Sequence, residues 1–210
     1  MNYQRELENI LRALPAPPPK PALLLHACCG PCSSYVIEYL CAHFDITLFF
    51  YNPNIHPKEE HDRRRAELEK FAARFPPSVQ NGVKLVVADY NPQEYAEATN
   101  VRNEPELQRE REKGERCRRC YAFRMKKAFL YAAAHNFDWF TTTLSISPHK
   151  DAQKINEIGF ALQNADGFSR PRFLPADFKK KGGFVRSTEL SAEYGLWRQD
   201  YCGCAFSMRT

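Results

Sequence analysis

Three runs of cysteines, far apart along the chain, have to be reconciled by any fold this sequence adopts. The eight cysteines fall at 28, 29 and 32, at 41, at 117 and 120, and at 202 and 204, so that only Cys41 stands alone. No window approaches the roughly 18 consecutive apolar residues that a membrane-spanning helix needs. The N-terminus carries Arg5, Glu6, Glu8 and Arg12 where a signal peptide would be apolar. The chain is therefore expected to be cytoplasmic, without membrane contact. Thiols stay reduced in that compartment, so grouped cysteines point to metal ligation or redox chemistry rather than to structural disulfides. For the runs to share one site, the front, middle and tail of the chain must fold against each other.

A length of 210 residues suits one compact domain with a small extension. Hydrophobic residues at 43% and charged residues at 26% exclude disordered and fibrous classes. Residues 2 to 14 space Leu7, Ile10, Leu11 and Leu14 along one helix face, and PAPPPKP from Pro15 to Pro21 cannot continue a helix. Residues 1–21 thus read as a helix on a Pro-rich tether and 22–210 as a single α/β domain. The apolar run Ala22–Ala27 (ALLLHA) reads as a buried strand, ending in the turn CCGPC before a helix from about Ser33 to His43. Further strands are expected at Ile46–Tyr51, Lys84–Ala88 and Trp139–Leu144. Helices are expected at about Lys58–Phe75, from Pro92, and from near Cys117 to about His135, with a charged stretch from Arg102 to Arg116. This alternation implies a parallel sheet with helices on both faces, followed by an irregular C-terminal segment that carries cysteines, lysines and arginines. Ligands of such sheets gather beyond the carboxyl ends of the strands, where strand order reverses. CCGPC, YNPN and TTTLSISPHK each follow a strand and should line that crevice.

Cys117-Arg118-Arg119-Cys120 is a C-x-x-C pair at a helix start, where free amide groups and the helix dipole favour thiolate over thiol. A redox dithiol, half a zinc site and half an iron-sulfur site share that spacing. Cys28 and Cys29 are adjacent, so their side chains diverge, which suits a cluster bound at an edge or two neighbouring metals. Gly203, between Cys202 and Cys204, permits unusual backbone angles and close approach to a ligand. Two pairs already fill a four-thiolate site, so the third implies further chemistry. Cys41, at helical spacing from Ile37 and Phe44, reads as a small buried hydrophobe. Cys32 is either a ligand or a first-turn residue facing the site. His26 and His149 are candidate proton donors, although a histidine near a strand end is more often structural.

A net charge of +5 permits a polyanionic partner without demanding one. In KKKGGFVR, Lys179, Lys180, Lys181 and Arg186 accompany two glycines that let backbone approach a phosphate. Arg198 lies nearby, among Phe178, Phe184, Trp197 and Tyr201, rings of the kind that stack on unpaired bases. The bland alternative is that the lysine run is a solvated loop and the rings are core. HDRRR (His61 to Arg65) alternates with Glu59, Glu60, Glu67 and Glu69 and reads mainly as surface ion pairing.

Six stretches carry a resemblance: HACCGPC (His26 to Cys32), FYNPNIHP (Phe50 to Pro57), ERCRRCYAFRM (Glu115 to Met125), TTTLSISPHK (Thr141 to Lys150), ADFKKKGG (Ala176 to Gly183) and YGLWRQDYCGC (Tyr194 to Cys204). Taken in order, they resemble the cobalamin-independent epoxyqueuosine reductase family, QueH, over nearly the whole chain beyond the tether. The resemblance implies a Rossmann-like α/β fold, with 22–210 as a single iron-sulfur domain. It implies reduction of epoxyqueuosine to queuosine at the wobble position of tRNA, with a 4Fe-4S cluster beside an additional iron ion. Carried over by motif, Cys28, Cys29, Cys117 and Cys120 would ligate the cluster. Cys202 and Cys204 would serve catalysis, either as ligands of the second iron or as a redox-active dithiol, and Cys32 is given no role. Lys179, Lys180, Lys181, Arg186 and Arg198 would contact the tRNA, and the partners would be tRNA and an electron donor that the sequence does not identify. Two rival readings are a zinc-containing module that binds tRNA and a thiol-based tRNA sulfur transferase. CCGPCSS carries cysteines where a phosphate-binding loop would need several glycines and serines around the anion, which speaks against nucleotide use.

Overall fold

Each apolar run in this chain is followed by a helix that carries it back to the same edge, so successive strands can pair only in parallel. The computed structural model describes residues 1–14, 19–165, 167 and 169–208, and Pro15, Ala16, Pro17 and Pro18 of the expected tether lie outside the described residues. Strands β1 (Ala22–Ala27), β2 (Asp45–Phe50), β3 (Lys84–Val87), β4 (Trp139–Thr142) and β5 (Arg172–Phe173) form one parallel sheet in the order β3-β2-β1-β4-β5. In its register, Leu23 of β1 lies between Ile46 of β2 and Trp139 of β4. Around the sheet run α1 (Tyr3–Ala13), α2 (Gly30–Leu40), α3 (Lys58–Arg74), α4 (Pro76–Gln80), α5 (Pro92–Thr99), α6 (Pro105–Arg109), α7 (Glu115–Ala134), α8 (Ala152–Gln163) and α9 (Gly183–Glu193).

Side chains alternate across β1, and that period divides the interior into two cores. Leu23, Leu25 and Ala27 join Leu7, Val36, Ile37, Phe44, Leu68, Phe71 and Leu190 on one face, contributed by α1, α2, α3 and α9. Leu24, Phe49 and Phe140 join Met125, Phe129 and Ile155 of α7 and α8 on the other. Because both faces are covered, Leu23, Leu24 and Leu25 are all 0% exposed. Truncating any of them to alanine is expected to cost about 2 to 5 kcal/mol. Cys41 lies in the first core, as its helical spacing suggested.

The four longer strands and their helices stand where the hydrophobic pattern places them, within a few residues. Beyond β4, where the pattern yields no further element, the chain forms α8, β5 and α9. The charged stretch from Arg102 to Arg116 contains α6 and the loop that starts α7. Strand order reverses at β1, with β2 on one side and β4 on the other, and the loops that follow these three strands open into one crevice.

Candidate metal and active site

Only Cys28 and Cys29 separate β1 from α2, so the first thiols sit at the lip of the central strand. Cys29 occupies the cap of α2 with extended backbone, and Cys32 lies in the first turn, where helix amide groups favour negative charge. The three sulfurs lie within 4.8 Å of one another, with Cys28 and Cys29 Sγ 3.8 Å apart. Cys28 and Cys29 are buried, at 6% and 0% exposure. The Cys28 N–H donates to Thr143 Oγ1 (3.3 Å), and the Thr143 hydroxyl donates to Cys28 Sγ (3.4 Å). Asn52, just past β2, donates to the Ala27 carbonyl at 2.9 Å and accepts from Arg124. Thiol hydrogen bonds from Cys29 and Cys32, then the positive charges of Lys150 and Arg124, hold the Cys28 thiol well below its usual range. Sharing with Cys28 pushes Cys29 up to about 12 and raises Cys32. A metal binding all three sulfurs would displace whatever protons they carry.

The second group is built from the middle and the tail. Cys117 and Cys120 lie in the first two turns of α7, whose start is capped by a residue the sequence reading did not single out. Glu110 accepts the N–H of Glu115 on one carboxylate oxygen and that of Arg116 on the other, both at 2.8 Å. Cys202 and Cys204 follow α9, and all four thiols line one narrow cavity with Asn54, Tyr95 and Tyr121. A hydrogen bond from Cys204, and then Lys150, lowers the Cys202 thiol, while Cys204 is raised in return. Burial raises Cys117.

Arg64 of α3 fixes the tail. It is 2% exposed, pairs through Nε with Glu60 (2.6 Å), and donates to the carbonyls of Cys202 (3.2 Å) and Tyr201 (3.3 Å). The Gly203 carbonyl accepts the His56 N–H at 2.8 Å, and the Tyr201 hydroxyl donates to the His56 carbonyl at 2.7 Å. Gly203 adopts φ +100°, and a Cβ there would meet Ile55 Cγ1 at 2.9 Å and Arg64 Nη1 at 3.0 Å. Glycine is thus required between the two cysteines both for its backbone angle and for the close approach of Arg64.

Two cations join the groups. Arg124 Nη1 lies 3.9 Å from Cys120 Sγ and its charge also acts on Cys28. Lys150, at the end of the loop after β4, faces Cys28, Cys32 and Cys202. Cys32, Lys150 and Cys202 also line a larger cavity of about 630 Å³. Its walls carry Arg111, Lys113, Arg116 and Arg198 together with Phe184, Tyr201 and Phe206.

The expected residues divide between this crevice and other surfaces. Of the anticipated RNA contacts, Arg198 lines the larger cavity, where it packs over Phe184 (5.4 Å) and donates to Ser191 Oγ at 3.1 Å. Lys179 pairs with Asp177 (2.5 Å), Lys181 with Glu8 (2.5 Å) and Arg186 with Glu38 (2.7 Å), while Lys180 is exposed. His26 is fully buried between Thr142 and the Tyr51 carbonyl, at 2.8 and 3.1 Å. A carbonyl only accepts, so Nε2 carries the proton and Nδ1 accepts from Thr142. Burial, aided by Arg124, pushes His26 down to about 3, which makes it a neutral brace rather than a proton source. His149 lines both cavities, its Nδ1 3.9 Å from Glu112. Within HDRRR, the pairing of Arg64 with Glu60 was legible as an i,i+4 spacing, whereas the burial of Arg64 beneath the tail was not.

A parallel α/β sheet that gathers two buried groups of thiols at its switch point, with cations between them, defines a thiolate-based metal or redox protein. The chain matches the Epoxyqueuosine reductase QueH family over residues 23–210. It is 40% identical over 209 residues to the epoxyqueuosine reductase QueH of Streptococcus pyogenes serotype M1, covering 100% of this chain and 79% of that one. The QueH of Staphylococcus epidermidis is 38% identical over 207 residues, covering 99% and 84% of the two chains. That of Thermotoga maritima is 33% identical over 187 residues, covering 89% and 90%. The chain belongs to the epoxyqueuosine reductase QueH family and is an oxidoreductase. No helix among the described residues is long and apolar enough to cross a membrane.

Proposed function

We propose that this protein reduces epoxyqueuosine to queuosine at the wobble position of tRNA in the cytoplasm, using a 4Fe-4S cluster and an additional iron held by its thiols. The observation that carries this reading is the gathering of seven of the eight cysteines of a QueH-family fold into a triad and a four-thiol cavity, with Cys32, Lys150 and Cys202 lining the larger cavity beside them. An all-sulfur donor set selects iron-sulfur groups or zinc over hard cations. Two helix starts and two cations favour the thiolates that such groups need, against the burial that raises the Cys117 thiol. The spacing supports Cys28, Cys29 and Cys32 as one ligand set, their sulfurs within 4.8 Å of one another, while Cys117, Cys120, Cys202 and Cys204 share a cavity and would form a second set only by drawing closer together. That differs from the motif carry-over, which joined Cys28 and Cys29 to Cys117 and Cys120 and left Cys202 and Cys204 for catalysis. Three thiols would leave one position of a four-ligand metal group free for another donor.

Turning the epoxide into an alkene removes one oxygen as water and consumes two electrons and two protons. When bound, the iron groups supply electrons singly and a Lewis acid for the departing oxygen. Lys150 holds a proton and a positive charge at Nζ beside both ligand sets, where negative charge develops on that oxygen. Arg198, Phe184 and Tyr201 supply a guanidinium and rings for the nucleotide in the larger cavity, and Arg111 and Lys113 supply charge for its phosphates. The electrons come from a separate donor.

Anaerobic purification, metal and sulfide counting, and incubation with epoxyqueuosine-containing tRNA and a chemical reductant test the reading. Expected are about four to five irons per chain and conversion to queuosine in digested tRNA. A colourless protein holding zinc alone, without conversion, would support the tRNA-binding module instead. Iron lost from both Cys32→Ser and Cys204→Ser supports the two ligand sets.

A further inference from the structure

We infer that Phe206, in the tail beyond Cys204, is the ring on which the wobble base of the tRNA stacks when its nucleotide enters the larger cavity. The inference rests on the proposed function and deepens it, by naming the residue that holds the base.

Phe206 is 37% exposed, more than any other phenylalanine, tyrosine or tryptophan among the described residues. A lone apolar side chain at a surface is ordinary, but this one stands in the wall of the larger cavity with Cys32, Lys150 and Cys202. The other two rings of that wall are less free. Phe184 lies beneath the Arg198 guanidinium (5.4 Å), and Tyr201 lies beneath that of Arg64 (5.3 Å) with its hydroxyl bound to the His56 carbonyl. Arg116 lies 5.9 Å from the centroid of the Phe206 ring. That guanidinium is 3% exposed and donates through Nη1 to the carbonyls of Leu107 (3.0 Å) and Gln108 (2.8 Å), so it backs the ring from the interior. The exposed surface of the ring opens away from it, towards the larger cavity and a smaller one of about 90 Å³ that Cys204 also lines. Sites for small molecules start at about 300 Å³, so of the two only the larger, at about 630 Å³, admits a nucleotide.

Charge alone does not orient a base here, because Glu110, Glu112 and Asp200 stand in the same wall as Arg111, Lys113 and Arg198. A ring does, since every base offers a π face and stacking covers apolar surface on both partners. The ring is also fixed relative to the thiols before RNA arrives. The Ser207 N–H and hydroxyl both donate to the Cys204 carbonyl, at 2.9 and 2.8 Å, and the same hydroxyl lies 3.0 Å from Cys202 Sγ. Phe206 sits within that turn, so a base laid on it is held in the cavity that Cys32, Lys150 and Cys202 share.

Equilibrium binding to the iron-loaded, oxidised protein tests this with two RNAs: tRNA carrying epoxyqueuosine, and the same tRNA lacking a base at the wobble position. Phe206→Leu keeps an apolar side chain and removes the ring, whereas Phe206→Tyr keeps the ring. Phe206→Leu is expected to bind epoxyqueuosine tRNA about fivefold or more weakly than wild type and the abasic tRNA as wild type does, while Phe206→Tyr keeps wild-type binding of both. A misplaced tail would weaken both RNAs alike, so the difference between them reads the stack itself. Undiminished binding of epoxyqueuosine tRNA by Phe206→Leu overturns the inference, as does an equal loss on the two RNAs. A wild-type protein that binds epoxyqueuosine tRNA and, given reductant, leaves it unconverted overturns the functional reading instead.

Discussion

Arg64→Met should loosen the tail of the protein, because it keeps the apolar stem of the residue and deletes every donor. Arg64 makes two hydrogen bonds to loop carbonyls, at 3.2 and 3.3 Å, and a 2.6 Å pair with Glu60, whose side chain is 11% exposed. Each carbonyl bond contributes about 1 kcal/mol net, and stranding a mostly buried carboxylate adds about 1 more after allowance for its contact with solvent. The sum, about 3 kcal/mol, corresponds to a fall in melting temperature of about 6 to 12 °C for a chain of this size. Thermal unfolding of the reduced, metal-free protein measures it without interference from metal binding. Arg64→Lys, which can pair with Glu60 but cannot span both carbonyls, should fall between Arg64→Met and wild type. A shift under about 2 °C for Arg64→Met would refute the assignment of this guanidinium as the clamp on Tyr201 and Cys202.

Removing the carboxylate in Glu110→Ala uncaps α7, which should cost about 0.5 to 2 kcal/mol in denaturant unfolding and weaken iron retention at Cys117 and Cys120. Gly203→Ala places a Cβ against Ile55 and Arg64 at φ +100°, so a loss of about 1 to 3 kcal/mol is expected in the same assay. Cys41→Ser should leave the iron content unchanged while lowering stability, since Cys41 is 6% exposed within the apolar core. His26, usual value 6.5, is pushed down to about 3 by burial, so between those pH values the unfolded chain binds more protons than the fold. Stability of the metal-free protein should therefore fall as pH drops from 6.5 towards 3, and titrating His26→Gln should show a shallower decline.

Short apolar runs bounded by turn signals made β1 to β4 legible, and the rule that parallel sheets bind beyond their strand ends placed the crevice. β5 escaped because two residues, Arg172 and Phe173, are too few to show alternation. α9 escaped because it starts in a Gly-Gly pair that reads as a loop. The cysteines announced a common site, but which of them share the cavity with Cys202 and Cys204 depends on how the tail docks, and that docking rests on Arg64, one charge among many on α3. A run such as Lys179 to Lys181 shows its composition and hides its partners. Glu8, which faces Lys181, comes from the opposite end of the chain.

The clamp of α3 on the tail also orders events in time. The strand, turn and helix that present Cys28, Cys29 and Cys32 are contiguous in sequence, although β1 completes its pairing only with β2 and β4. Cys117 and Cys120 must wait for their two partners until Tyr201 to Cys204 have been made and seated beneath Arg64. Any metal that those four thiols are to hold together must therefore reach a chain whose tail has already closed over Cys202 and Cys204.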